Sequence, residues 1–115
     1  MKIILDTSFL IDIFRFGVDV SEMGDKFYTV RGVMKELREL AKRGEKKNAS
    51  IALKWIDVMG VKVLESEKRR TDDMIIDAAG KEYAVATSDR ELRARLKRAG
   101  VKTIYIRARK HLELG

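Results

Sequence analysis

The sequence predicts an α/β domain: three layers, α/β/α, around a central, mostly parallel five-stranded sheet. Three observations carry this reading. Short apolar runs alternate with amphipathic stretches along the whole chain. Those stretches begin at acids or hydroxyls and stop at glycines, the residues that start and end helices. A strand–helix alternation of this kind implies parallel strands covered on both faces and joined by right-handed crossovers, a doubly wound domain.

The elements follow in order. "KIIL" (2–5) is an apolar run suited to a buried strand, and Asp6, Thr7 and Ser8 then offer cap chemistry for a helix over 8–16. Residues 17–25 read as a loop and "KFYTV" (26–30) as a second strand. The segment 31–44 is amphipathic, with Val33, Met34, Leu37, Leu40 and Ala41 on one stripe and Gly44 as its stop. A further helix over 46–60 is expected to bury Ile51, Trp55, Ile56 and Met59. "VKVLE" (61–65) alternates like an edge strand, and 71–83 is a helix opened by acids, with Gly80 inside it as a site of close packing. "AVAT" (84–87) is a strand. Residues 88–100 form a helix opened by a Ser88–Glu91 capping box, and 102–107 make the fifth and last strand.

At 115 residues the chain is expected to be one domain, 1–115, large enough to bury roughly 65% of the surface its unfolded form exposes. It has no cysteine, which excludes disulfides, thiolate metal sites and cysteine nucleophiles. Its first apolar stretch is too short to span a bilayer, and no basic leader or small-residue cleavage site accompanies it. The expectation is a soluble cytoplasmic protein with no membrane partner. Charged residues make up 37%, with no glutamine and a single asparagine, Asn48, the composition of a heat-adapted protein. A net charge of +7 favours polyanionic partners such as nucleic acid.

The stretch "IILDTSFLID" (3–12) sets an acid among aliphatic residues. Burying an unpaired carboxylate costs several kcal/mol, so Asp6 needs solvent, a helix end or a cation. In doubly wound domains the functional crevice lies beyond the carboxyl ends of the strands. Asp6 follows the first strand and Asp89 follows "AVAT" by two residues. Asp72 and Asp73 open a helix, and Glu36 lies on the border of its helix's apolar face. Acids from four distant segments are thus expected to meet. Hard divalent cations take such oxygen ligands, and two ions about 4 Å apart can activate water and stabilise the leaving oxygen of a phosphodiester. Singly, each Asp is also explained as a helix cap or as a partner of the helix dipole, and Glu36 as a surface residue paired with Arg43 or Lys35. Capping does not explain an apolar strand running into acid twice.

"LDTSFLID", "VMKELREL", "RTDDMIIDAA" and "VATSDRELRARLKRAGVKTIYI" together resemble the PIN domain, in its small archaeal form and its rRNA-processing relatives, over nearly the whole chain. The resemblance implies a magnesium- or manganese-dependent ribonuclease. It places Asp6, Glu36 and Asp89 at the metal with one of Asp72 and Asp73, and favours Asp72. Helical phasing also favours Asp72, because Ile75, Ile76 and Ala79 follow at +3, +4 and +7. Thr7, Ser8, Thr87 and Ser88 match small polar positions near the metal, although many members carry asparagine where Ser88 stands. RNA is the implied substrate. A homodimer and an antitoxin or ribosome-assembly partner are the implied protein partners.

Basic residues cluster at 42–47, 68–70, 90–98 and 107–110. Lys68, Arg69 and Arg70 precede Asp72, and Arg90 and Arg93 follow Asp89, so these five are candidates for holding RNA phosphates. Trp55 falls on an apolar stripe and His111 near the tail, which assigns the first to the core and the second to the surface. A non-catalytic RNA-binding or ribosome-assembly module of the same fold is the competing reading. Phosphoacceptor signalling domains and haloacid-dehalogenase-type phosphatases fit worse: the former want an acceptor Asp at a strand end in mid-chain, the latter a second Asp where Ser8 stands.

Overall fold

The computed structural model describes residues 1–24, 26–44, 46–108 and 111–115. Asp25 of the expected loop, Glu45 of the 42–47 basic stretch, and Arg109 and Lys110 of the 107–110 stretch lie outside the described residues. The elements are β1 (Lys2–Leu5), α1 (Thr7–Phe16), a 3-10 turn (Ser21–Met23), β2 (Lys26–Val30), α2 (Arg31–Lys42), α3 (Lys46–Val58), β3 (Lys62–Leu64), α4 (Thr71–Ala79), β4 (Tyr83–Ala86), α5 (Arg90–Arg98), β5 (Thr103–Arg107) and β6 (His111–Leu114).

The strands form one sheet in the order β3-β2-β1-β4-β5-β6. All neighbouring pairs are parallel except β5–β6, which is antiparallel with Arg107 opposite His111. The expected sheet had five strands; β6 is the addition. "HLEL" does alternate, but four residues at the end of a chain give a weak period-2 signal. β1 and β4 lie at the centre, where Ile3, Ile4, Leu5, Ala84, Val85 and Ala86 are all buried. Strands covered on both faces read as continuous apolar runs, as these two do.

The chain winds outward from β1 to β2 and β3, then crosses back to β4 and winds the other way to β5. Right-handed crossovers therefore put α1, α2 and α3 on one face and α4 and α5 on the other. α1 packs against both α2 and α3. The direction reverses between β1 and β4, and a crevice opens there beyond their carboxyl ends. Asp6 and Thr87 are the first residues past those two ends, and the Asp6 N–H is bonded to the Ala86 carbonyl.

Several local expectations are corrected. On α3 the buried face is Ala49, Ala52 and Ile56, whereas Ile51 and Met59 are 39% and 41% exposed. Ile51 sits about 100° around the helix from Ala52, and Met59 lies past the last helical residue. Trp55 does join the core, against Phe14 at 6.1 Å and Phe27 at 5.2 Å between ring centroids. Gly80 does not sit inside a helix; it ends α4 at φ +47°, a conformation only glycine adopts cheaply, and Tyr83 begins β4. The Ser88–Glu91 capping box does not form: Asp89 is the N-cap of α5 and accepts from the N–H groups of Glu91 and Leu92. No helix among the described residues is long and apolar enough to cross a membrane.

Candidate functional site

Asp6 follows β1 directly and caps α1. It is only 5% exposed, yet every hydrogen bond it accepts is local to the crevice. Its Oδ1 accepts from the Thr7 N–H at 2.8 Å, and its Oδ2 accepts from Thr87 Oγ1 at 2.7 Å and Ser8 Oγ at 3.0 Å. Those two hydroxyls in turn accept backbone N–H groups, Ser8 from Ser88 and Thr87 from Asp89, each at 3.1 Å. The loop after β4 is thereby stitched to the start of α1. Burial pushes the Asp6 carboxyl above its ordinary range; the hydrogen bonds from Thr87, Ser8 and Thr7 oppose the rise without cancelling it, and Asp72 adds to it.

Glu36 reaches the same crevice from α2. Thr7 Oγ1 donates to its Oε1 at 2.6 Å and Thr71 Oγ1 to its Oε2 at 2.5 Å. Two threonines from α1 and α4 therefore hold both oxygens of one carboxylate. Gly32, one turn before Glu36, makes the room. A Cβ there would stand 2.4 Å from Thr71 Oγ1 and 3.2 Å from Met74 Sδ. Gly32→Ala is expected to destabilise by about 1–3 kcal/mol, because the Thr71 Cβ, 3.1 Å away, and its hydroxyl, bonded to Glu36, must both shift, less roughly 1 kcal/mol regained in helix propensity. Chemical denaturation measures the net loss. A variant more stable than the parent would contradict the contact.

Asp72 and Asp73 part company. Asp72 lines the crevice, and its carboxyl is raised by burial first and then by Asp89, with Glu36 and Asp73 adding to the rise and Arg95 opposing it. Asp73 turns to Arg95 on α5, at 2.7 Å, and that hydrogen bond lowers its carboxyl. Asp89 contributes from the N-terminus of α5, where its Oδ1 caps the helix. The acidic cavity is about 450 Å³; among the described residues Asp6, Asp12, Glu36, Asp72 and Asp89 line it against one cation, Arg15. Among the described residues no lysine or arginine forms an ion pair with Asp6, Glu36, Asp72 or Asp89.

This donor set fits a hard divalent cation: carboxylate oxygens, an excess of negative charge and room for water. Among the described residues no group of three or more acids stands ready-made as a metal-binding cluster. Glu36 and Asp6 already spend their oxygens on hydroxyls and amides, so the fit is to an ion that keeps several of its waters, as magnesium does.

The expected small polar residues divide. Thr7, Ser8 and Thr87 all bond the acids directly. The Ser88 Oγ is buried with no hydrogen-bond partner among the described residues, and only its N–H joins the network. The basic candidates scatter. Arg69 lines a groove of about 680 Å³ with Arg31, Lys35 and Arg38, which shares Glu36 with the acidic cavity. Lys68 lines a different hollow beside β3, and Arg70 is exposed at the start of α4. Arg90 and Arg93 line a cavity on the other flank. Three residues of the site went unmarked in the sequence reading. Ser8, Asp12 and Arg15 share one face of α1 at i, i+4 and i+7, a readable signal for the last two. The hydroxyl of Thr71 carried none.

Comparison with curated proteins finds no match. Among solved structures, one described as the "Structure of the PIN domain endonuclease Utp24" superposes with a TM-score of 0.80 at 22% identity, over 98% of this chain and 90% of that one. At that identity the likeness is one of fold. The family model described as "PIN like domain" matches residues 3–109. That span takes in β1 through β5 and every acid of the crevice, and by it the chain belongs to the PIN-like domain family.

Proposed function

We propose that this chain is a metal-dependent endoribonuclease that hydrolyses RNA phosphodiester bonds. The observation that carries the reading is the gathering of Asp6, Glu36, Asp72 and Asp89, from four separate segments, around one cavity with no cation paired to any of them among the described residues. A similar structure is described as an endonuclease, which supports the reaction class. Asp6, Glu36, Asp72 and Asp89 would hold a magnesium or manganese ion, which would supply charge neutralisation at the phosphodiester and a lowered pKa for attacking water. The chain's own part is positioning. Thr7, Ser8 and Thr87 fix Asp6, Thr7 and Thr71 fix Glu36, and the start of α5 fixes Asp89. Asp72 has no hydrogen-bond partner among the described residues, which leaves its carboxylate able to turn. Ribosomal-RNA processing or the toxin role of a toxin–antitoxin pair, in the cytoplasm of a heat-adapted archaeon and with a homodimer as the working form, is the setting we assign to this chemistry.

The alternative is a non-catalytic RNA-binding or ribosome-assembly module of the same fold. Manganese soaking with anomalous diffraction, alongside cleavage assays on structured and unstructured RNA, separates the two. The proposed function predicts a peak in the acidic cavity and manganese-dependent cleavage. RNA binding without a peak or cleavage is the alternative's signature.

Affinity for RNA should also depend on salt. If three or four of the flanking basic residues neutralise phosphates, binding to single-stranded RNA falls roughly 20- to 50-fold between 50 and 200 mM salt. Fluorescence anisotropy in EDTA measures the slope, and a flat response would remove the arginines from RNA binding.

A further inference from the structure

A second cavity, about 400 Å³, adjoins the acidic one and reverses its charge. Asp12 belongs to both walls, and the second wall adds Ser88, Arg90, Arg93, Tyr105 and Arg107. Ser88 and Arg90 flank Asp89 in the chain, so the two cavities meet along the loop that leaves β4. Among the described residues three guanidinium groups line this cavity with one carboxylate, where next door five carboxylates stand with one guanidinium.

The groups in this cavity are prepared for a ligand. The Arg93 guanidinium carbon lies 3.9 Å from the centre of the Tyr105 ring. Stacking of that kind holds the planar fork in place before anything binds and reduces the rotamer entropy lost on binding. Arg107 pairs with Glu113 at 3.8 Å, with both side chains well exposed, a pairing that a phosphate can displace. Arg90 has no ion-pair or hydrogen-bond partner among the described residues. The buried Ser88 hydroxyl likewise lacks one, and buried polar atoms are ordinarily satisfied.

We propose that this cavity binds one nucleotide of a single-stranded RNA beside the phosphodiester that the acidic cavity handles. The arginines take its phosphate, and Ser88 and Tyr105 meet its sugar and base. The volume suits one nucleotide. A duplex keeps its bases paired inside the helix and sends none into a cavity, whereas single strands can splay a base out. Placement beside the cleaved bond rests on the nuclease reading; nucleotide binding itself does not.

The test uses the whole chain in EDTA, so that binding is read without cleavage. Anisotropy with a labelled eight-nucleotide single strand compares wild type, Arg93→Ala/Arg107→Ala and Arg93→Lys. The double variant should bind at least about tenfold more weakly and the lysine variant should fall between, with thermal melts confirming that both are folded. In wild type, adenosine monophosphate should shift the NMR signals of Ser88, Arg93 and Tyr105, and inorganic phosphate at equal concentration should shift them less. Equal affinity in the double variant, equal affinity for duplex RNA, or equal shifts from phosphate alone would each overturn the nucleotide site. Loss of binding in the double variant, in a protein that never cleaves RNA in manganese, would sustain this site and overturn the nuclease reading instead.

Discussion

Asp6→Asn should lower manganese-dependent RNA cleavage by at least about 10³-fold, equivalent to some 4 kcal/mol of transition-state stabilisation. The substitution keeps the shape. The asparagine carbonyl still accepts from the Thr7 N–H, and its amide can donate to the Ser8 and Thr87 hydroxyls, which also accept from backbone amides. What disappears is the charge. Asp6 is buried and has no cation paired to it among the described residues, and folding raises its carboxyl above the unfolded value of 3.8. A carboxyl raised on folding binds its proton more readily folded than unfolded. In EDTA the wild type therefore loses stability as pH climbs from 3.8 through the raised value. The asparagine variant is spared that loss, so at pH 7 in EDTA it should melt no lower than wild type. Inactivity with an undiminished melting temperature assigns Asp6 to chemistry. A variant that cleaves like its parent in manganese would remove Asp6 from the site.

The division between what the residues announced and what they concealed has a physical cause. β1 and β4 were readable because strands buried on both faces must be apolar throughout, and the acids that follow them stand out for the same reason. Helical phasing leaned toward Asp72 over Asp73 without deciding between them; Asp73's turn toward Arg95 depends on a contact twenty-two positions away that no local window contains. Details that depend on distant contacts were not readable. Local spacing offers Ser88 as a cap, but tertiary geometry gives the cap to Asp89 and draws the Ser88 N–H to Ser8, eighty positions earlier. The Thr71 bond to Glu36 spans thirty-five positions and depends on the missing side chain at Gly32, a pairing no window of sequence contains. Among the basic clusters, composition was visible and placement was not. Lys68 and Arg69 are consecutive yet line different hollows, because the chain turns into α4 just after them.

Phe9→Ala should have the largest effect on stability, about 3–5 kcal/mol, or a fall in melting temperature of roughly 12–20 °C for a chain of this length. Phe9 is 0% exposed and sits in the first turn of α1, three residues after Asp6. Removing its ring opens a cavity in a core that α1, α2 and α3 build together, and a core closed from several elements collapses poorly around a hole. The loss would be a large share of the 5–15 kcal/mol typical of a whole domain. The same turn carries Thr7 and Ser8, so the damage reaches the acidic cavity through α1. Below the melting temperature cleavage should fall far less than in Asp6→Asn, because every acid remains. Val58→Ser, at a position 77% exposed near the end of α3, is the matched control and should change stability by no more than about 0.5 kcal/mol. If the two variants melted within a few degrees of each other, α1 would not be seated on the sheet as described, and the cavity that depends on its first turn would lose its footing.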